Sequence, residues 1–267
     1  MKNSRVNLII PILILILIAG CDIVEPPQHQ INPLNSKIDF RVIEAYPNAE
    51  KPSEPQIYLQ LKTEKIYGCF NEEIALKYSI QGNSIDVDIL GINTPNACLL
   101  ALGPAQATVK LDSISGVYKL TFNNTTNNFS DSYNLLINDS LIIVDGKETQ
   151  NIKPVDNFYW RHPKNSFVYV CTNNSIDPDL CDKFISTLKK DISLREFNFP
   201  DFGVDPYKNW ISEDATTVKY FYYTSNQDVG KMKDIMTSFK SHYFPIGDSV
   251  NMMIITWRND QIFSNTL

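Results

Sequence analysis

The segment SFVYVCTNNSIDPDLCDKFISTLKKDI, Ser166–Ile192, contains the change of period on which the fold reading turns. SFVYVC is rich in β-branched and aromatic residues, as strands are. Asp177-Pro178 then supplies a capping residue followed by proline at the first helical position, and Leu180, Phe184, Ile185, Leu188 and Ile192 recur at helical spacing. The segment therefore reads as a strand followed by an amphipathic helix lying on a sheet. Toward the C-terminus, LREFNF reads as a strand, a long loop with Pro200, Pro206 and Trp210 follows, and VKYFYYT is extended again. A second helix from about Gln227 to His242 carries Val229, Met232, Ile235, Met236 and Phe239 on one side, and VNMMIITW closes the series. The order β-α-β-β-α-β predicts an α+β ferredoxin-like domain over residues 155–267, with both helices on one sheet face.

Toward the N-terminus the helical spacing disappears. Ile38 to Val144 is a series of short segments with period-2 patterning, among them IDFRVIEAY, IYLQLKT, SIDVDIL, VYKLTF and SLIIV. They are separated by turn signals such as Gln81-Gly82-Asn83, Gly103-Pro104 and Asn123-Asn124. Many short strands without a helix predict an all-β immunoglobulin-like sandwich over residues 38–147. This half has no tryptophan, so the Cys…Trp…Cys signature of true immunoglobulin domains is missing. The polar stretch DGKETQNIKP, Asp145–Pro154, marks the boundary between the two expected domains.

The first twenty residues have a separate anatomy. Lys2 and Arg5 precede an apolar run from Leu8 to Ile18, which ends in Ala19-Gly20. A basic start, an apolar middle and a small-residue exit make a signal peptide. The run is shorter than the ~20 apolar residues a membrane-spanning helix needs. Ile18-Ala19-Gly20-Cys21 resembles the lipobox of bacterial lipoproteins. That resemblance implies removal of residues 1–20, lipidation of Cys21 as the first mature residue, and a place in the bacterial cell envelope, on a membrane and leaflet left open. Each buried acyl methylene contributes about 0.8 kcal/mol, so two or three chains would hold the protein on a membrane unaided. Residues 21–37, with three prolines and polar filler, then read as a flexible tether.

Four further cysteines remain: Cys69, Cys98, Cys171 and Cys181. In an exported chain an even number implies disulfides, and pairing within each expected domain selects Cys69–Cys98 and Cys171–Cys181. In the loop-entropy account the first is worth about 3 to 4 kcal/mol and the shorter second about 2.5 to 3 kcal/mol. The competing reading, a metal site, finds no CxxC and no histidine at ligand spacing.

The 24 Lys+Arg and 30 Asp+Glu give a net charge of −6, and loss of Lys2 and Arg5 deepens it to about −8. Such a surface repels phosphate backbones, which argues against a nucleic-acid partner. Ser186-Thr187-Leu188-Lys189 fits the SxxK pattern, but its SDN and KTG companions are missing and Leu188 belongs to the apolar stripe. Asp201-Phe202-Gly203 spells the kinase triplet without a glycine-rich loop or HRD segment. His162 and His242 have no nucleophile pattern around them, and GxSxG, HExxH, P-loop and GxGxxG motifs are missing. No catalytic residue, metal ligand or cofactor is assigned.

One feature has binding character. If Val168 and Val170 face the helices, Phe167 and Tyr169 point to the other sheet face, joined there by either Tyr220 and Tyr222 or Phe221 and Tyr223, and by Trp257. RNA-recognition domains stack bases on such a face, but VKYFYYT lacks their basic-glycine-aromatic pattern. Aromatic faces also take sugar rings and extended peptides, or are covered by a neighbouring domain. The expectation is a non-enzymatic, lipid-anchored envelope protein that binds a protein or glycan or serves as an accessory subunit. Its rival is an unrecognised envelope hydrolase.

Overall fold

The computed structural model describes residues 31–111, 114–147, 149, 151–244 and 250–266. Cys21, the signal segment and residues 21–30 of the expected tether lie outside the described residues. Ile31–Leu267 forms one compact unit.

The first sheet comprises eleven strands. They are β1 (Ile31–Asn32), β2 (Ile38–Ala45), β3 (Gln56–Tyr67), β4 (Glu73–Gln81), β5 (Ser84–Asn93), β6 (Gly103–Leu111), β7 (Gly116–Asn124), β8 (Phe129–Ile137), β9 (Leu141–Asp145), β10 (Ile152–Pro154) and β11 (Phe158–Trp160). Alternation decides which side chains go inward: on β2, Ile38, Phe40 and Val42 are buried while Arg41 is exposed, and on β5 Ile85, Val87 and Ile89 are buried in alternation, with Gly91 and Ile92 buried beyond them. Phe40, Phe122 and Tyr133 meet ring to ring at 4.8 to 6.3 Å in the centre of this core.

The expected immunoglobulin-like sandwich is corrected. The strands lie in one continuous curled sheet ordered β10-β2-β3-β6-β4-β5-β7-β8-β9-β11. The pair Glu73↔Gln106 joins β4 to β6 in parallel, so what would be two sheets becomes one. β5 with β7 and β10 with β2 are parallel as well. Period-2 alternation fixes the buried face of a strand and says nothing about its lateral partners. The sheet also outruns both expected boundaries. Ile31–Asn32 pairs with β5 and Leu34 is fully buried, so the fold begins inside the stretch read as tether. At the other end β10 and β11 carry the sheet on to Trp160.

The second sheet has the order β13-β14-β12-β15-β16, from β12 (Ser166–Asn173), β13 (Arg195–Phe197), β14 (Thr217–Tyr222), β15 (Val250–Thr256) and β16 (Gln261–Phe263). The ferredoxin-like expectation is corrected too. The chain is mostly β, with two α-helices among the described residues, α1 (Leu180–Asp191) and α2 (Gln227–Tyr243), and the sheet runs to five strands through β16. Its two faces are both covered. Phe167, Tyr169, Phe221, Met252 and Ile254 meet α1 and α2, where Phe184, Leu188, Met232, Met236 and Phe239 are buried. On the opposite face Val168, Val170 and Ile255 pack under Tyr207 and Trp210 of the long loop.

Both expected disulfides form, with Cα separations of 5.2 Å for Cys69–Cys98 and 6.0 Å for Cys171–Cys181. The second ties β12 to the first turn of α1. No helix among the described residues is long and apolar enough to cross a membrane.

Candidate functional site: an aromatic ridge between the two sheets

β11 is the last strand of the first sheet, with Trp160 opposite Leu141 of β9. β13 is the outer strand of the second, with Arg195 opposite Tyr222 of β14. The loop between β13 and β14 returns to the first sheet, where Val204 forms a parallel bridge to Tyr159: its N–H donates to the Phe158 carbonyl at 2.9 Å, and the Trp160 N–H donates to the Val204 carbonyl at 2.9 Å. The chain turns at Gly203 with φ +83°, where a Cβ would stand 2.5 Å from Phe158 Cδ1. Only a residue without a side chain fits behind these rings.

The bridge sets a row of rings along the line where the sheets meet. Phe158 and Trp160 are 5.2 Å apart, Trp160 and Phe202 5.4 Å, Trp160 and Phe199 6.1 Å, Phe197 and Phe199 5.4 Å, and Phe197 and Tyr222 4.4 Å. The Trp160 indole N–H donates to the Phe202 carbonyl at 2.7 Å, and the Arg195 guanidinium lies 4.7 Å above the Tyr222 ring. A recess of ≈ 230 Å³ opens among Trp160, Arg161, Phe197, Phe199 and Tyr222, with Asp139, Ser140 and Asn198 contributing polar groups at its edge. The arrangement offers ring faces for stacking and hydrogen-bonding groups around them.

A buried polar layer beneath fixes the ridge. Glu44 of β2 accepts from Arg161 Nε at 2.7 Å and from the His162 N–H at 2.7 Å, and His162 Nδ1 stands 3.0 Å from the same carboxylate. Burial alone would push the Glu44 carboxyl up, but the bonds from His162 and the charge of Arg161 outweigh it and hold the group below the usual glutamate range. Nearby, Tyr220 donates to Asp205, and the Tyr207 and Ser166 hydroxyls are 2.9 Å apart. Burial raises Asp205 above the usual aspartate range, and the Tyr220 bond counters this only in part. The imidazole of His162 is enclosed by the rings of Tyr46 at 5.2 Å and Tyr207 at 4.9 Å, and its Nε2 is buried without a hydrogen-bond partner. No hydroxyl or thiol nucleophile among the described residues bonds to it.

The residues expected to form one aromatic face are divided. Phe167 and Tyr169 point to the helices, the reverse of the assumed orientation, and Trp257 belongs to the same helix-side core. Tyr220 packs beneath the long loop. Tyr222 alone of the five lines the recess. Sequence reasoning missed Trp160, Phe197, Phe199 and Phe202; the dense aromatic runs FYW and FNFPDF were the available signal. Asp201-Phe202-Gly203, set aside above as a chance kinase triplet, supplies a ring and the turn of the ridge. Among the described residues, no three His, Cys, Asp or Glu side chains come together as metal ligands. No family model, curated protein or solved structure matches the chain.

Proposed function

We propose that this chain is a lipid-anchored, non-enzymatic envelope protein that binds a glycan on the aromatic ridge. The lipobox-like Ile18–Cys21 supports the anchoring. The observation that carries the binding is the recess of ≈ 230 Å³ among Trp160, Phe197, Phe199 and Tyr222, with carboxylate, hydroxyl, amide and guanidinium groups at its edge. Sugar rings present an apolar C–H face and an equatorial rim of hydroxyls, and stacking plus edge hydrogen bonds is the chemistry that recognises both. The rings are held by a strand bridge and by the Trp160 indole bond, so little ordering cost remains at binding.

Calorimetric titration of the purified chain with fractionated envelope polysaccharides tests the reading. Trp160→Ala and Tyr222→Ala are each expected to weaken binding about tenfold or more, with the two disulfides and the melting transition retained. Equal affinity of both variants and the wild type, or turnover of the polymer by the wild type, would overturn it.

A further inference from the structure

Six of the twelve large apolar side chains that stand exposed among the described residues gather at one end of the first sheet: Ile31, Ile66, Phe70, Leu99, Leu100 and Leu102. The topology brings them together. β3 ends at Tyr67, β4 begins at Glu73, β5 ends at Asn93 and β6 begins at Gly103, and the pairs Tyr67↔Gly103, Glu73↔Asn93 and Glu73↔Gln106 place all four termini side by side. The apolar tip is the loop after β5, where Leu99 is 57%, Leu100 96% and Leu102 77% exposed.

The tip is braced. Cys98 is bonded to Cys69, the Phe70 N–H donates to the Leu99 carbonyl at 3.2 Å, and the Asn71 side chain both donates to the Ala97 carbonyl and accepts from the Leu99 N–H, each at 2.9 Å. Phe70 also lies over Gly103, where a Cβ would come within 2.7 Å of its ring. A disulfide and three hydrogen bonds thus hold leucines in solvent. Contiguous apolar surface of this kind marks a partner or a membrane.

The N-terminal segment indicates which. β1 runs antiparallel to the end of β5, with Ile31 opposite Asn93 and the Asn32 amide donating to the Thr94 hydroxyl at 3.2 Å. The described fold therefore begins beside the very loop that carries the leucines. Nine residues, Asp22–Gln30, separate Ile31 from Cys21. At ~3.1 Å per residue their full reach is about 30 Å, so an acyl chain on Cys21 would keep this end of the molecule near the bilayer.

We propose that the Leu99–Leu102 tip, with Ile31, Ile66 and Phe70, inserts into the lipid interface as a second membrane contact that sets the orientation of the protein on its anchor. The inference rests on the lipid-anchor reading for its geometry. Glu72 and Glu73 stand beside the tip, so insertion proceeds through apolar burial and does not depend on anionic lipid.

Co-sedimentation with vesicles of phosphatidylcholine alone, or mixed with phosphatidylglycerol, tests the tip directly. The chain from residue 21 is used with Cys21→Ser, so that no acyl chain contributes. Leu100→Asp and Leu102→Asp are expected to lower partitioning about tenfold each on both vesicles, whereas Ile176→Asp, the same change at an exposed site on another loop, leaves it unchanged. Equal partitioning of all four proteins overturns the inference, as does a concentration-dependent dimer abolished by Leu100→Asp, which would assign the tip to a second copy. The mass of the processed N-terminus of the wild type is read separately. An unmodified Cys21 removes the anchor without altering the vesicle result.

Discussion

Glu44 ties β2 to the segment that leads from the first sheet into the second. Its carboxylate is almost wholly buried, with Arg161 and His162 from the segment joining β11 to β12 as partners. Removing one member of a buried ion pair leaves an uncompensated charge and costs about 3 to 5 kcal/mol. Glu44→Gln is therefore expected to lower the urea midpoint by that amount of stability at pH 7. Because the folded carboxyl is held below the usual glutamate range, its contribution is complete above the ordinary value of about 4.3 and is lost as pH falls through that value to the depressed folded one. The gap between wild type and Glu44→Gln should narrow over that acid interval, as denaturation curves at a series of pH values would show. Gly203 makes a second prediction at this scale. Its φ of +83° and the 2.5 Å approach to Phe158 leave no room for a methyl group. Gly203→Ala is expected to cost about 1 to 3 kcal/mol and to weaken glycan binding with Trp160 itself intact. Unchanged binding calorimetry and melting would refute that role for the turn.

At the scale of elements, the amphipathic stripe of α1 was legible in the sequence. Leu180, Phe184, Ile185 and Leu188 recur at the helical period because they cover one sheet face, and all four are buried there. The helix starts two residues past the expected point: Asp179 and not Asp177 precedes its first residue, Leu180, without a side-chain cap bond, and the Asp177 carboxylate accepts the Asp179 N–H at 3.1 Å in the turn before it. The cysteine pairing was legible because each pair falls within one half of the chain, 29 residues apart for Cys69–Cys98 and 10 for Cys171–Cys181. Cys171→Ser with Cys181→Ser is expected to cost about 2.5 to 3 kcal/mol by freeing the connection of β12 to α1, measured as the shift in the denaturant midpoint under oxidising conditions. Which face of β12 meets the helices was not legible. After Ser166 the segment FVYVC has no polar position alternating with the apolar ones, and the residues from Ser166 to Cys171 are all buried, so the alternation that marks a half-exposed strand has nothing to report. The orientation of Phe167 and Tyr169 was accordingly lost with it.

For the whole molecule, the ridge is a product of distance along the chain. Trp160 comes from the last strand of one sheet, Phe197 from the outer strand of the other and Tyr222 from the strand next to it, and Phe199 and Phe202 from the loop that crosses between the sheets. Further bonds close the same junction on its other side: the Tyr46 hydroxyl donates to the Trp257 carbonyl at 3.2 Å, and the Asn259 amide donates to the Ala49 carbonyl at 2.8 Å. These segments lie more than two hundred residues apart in sequence. The apolar tip arises likewise, from four strand ends and two loops that only pairing makes neighbours. By itself the sequence determined the local matters: the extended segments of the first half, the two helical stripes, the cysteine pairs and the signal-like N-terminus, all set by the spacing of residues within about thirty positions. Only the tertiary structure decided that β4 joins β6, that one curled sheet replaces two, and that rings from separate elements share a surface. Strand partners are chosen by the closing of a common core, a free energy that belongs to all the strands together and leaves no periodicity in any one of them.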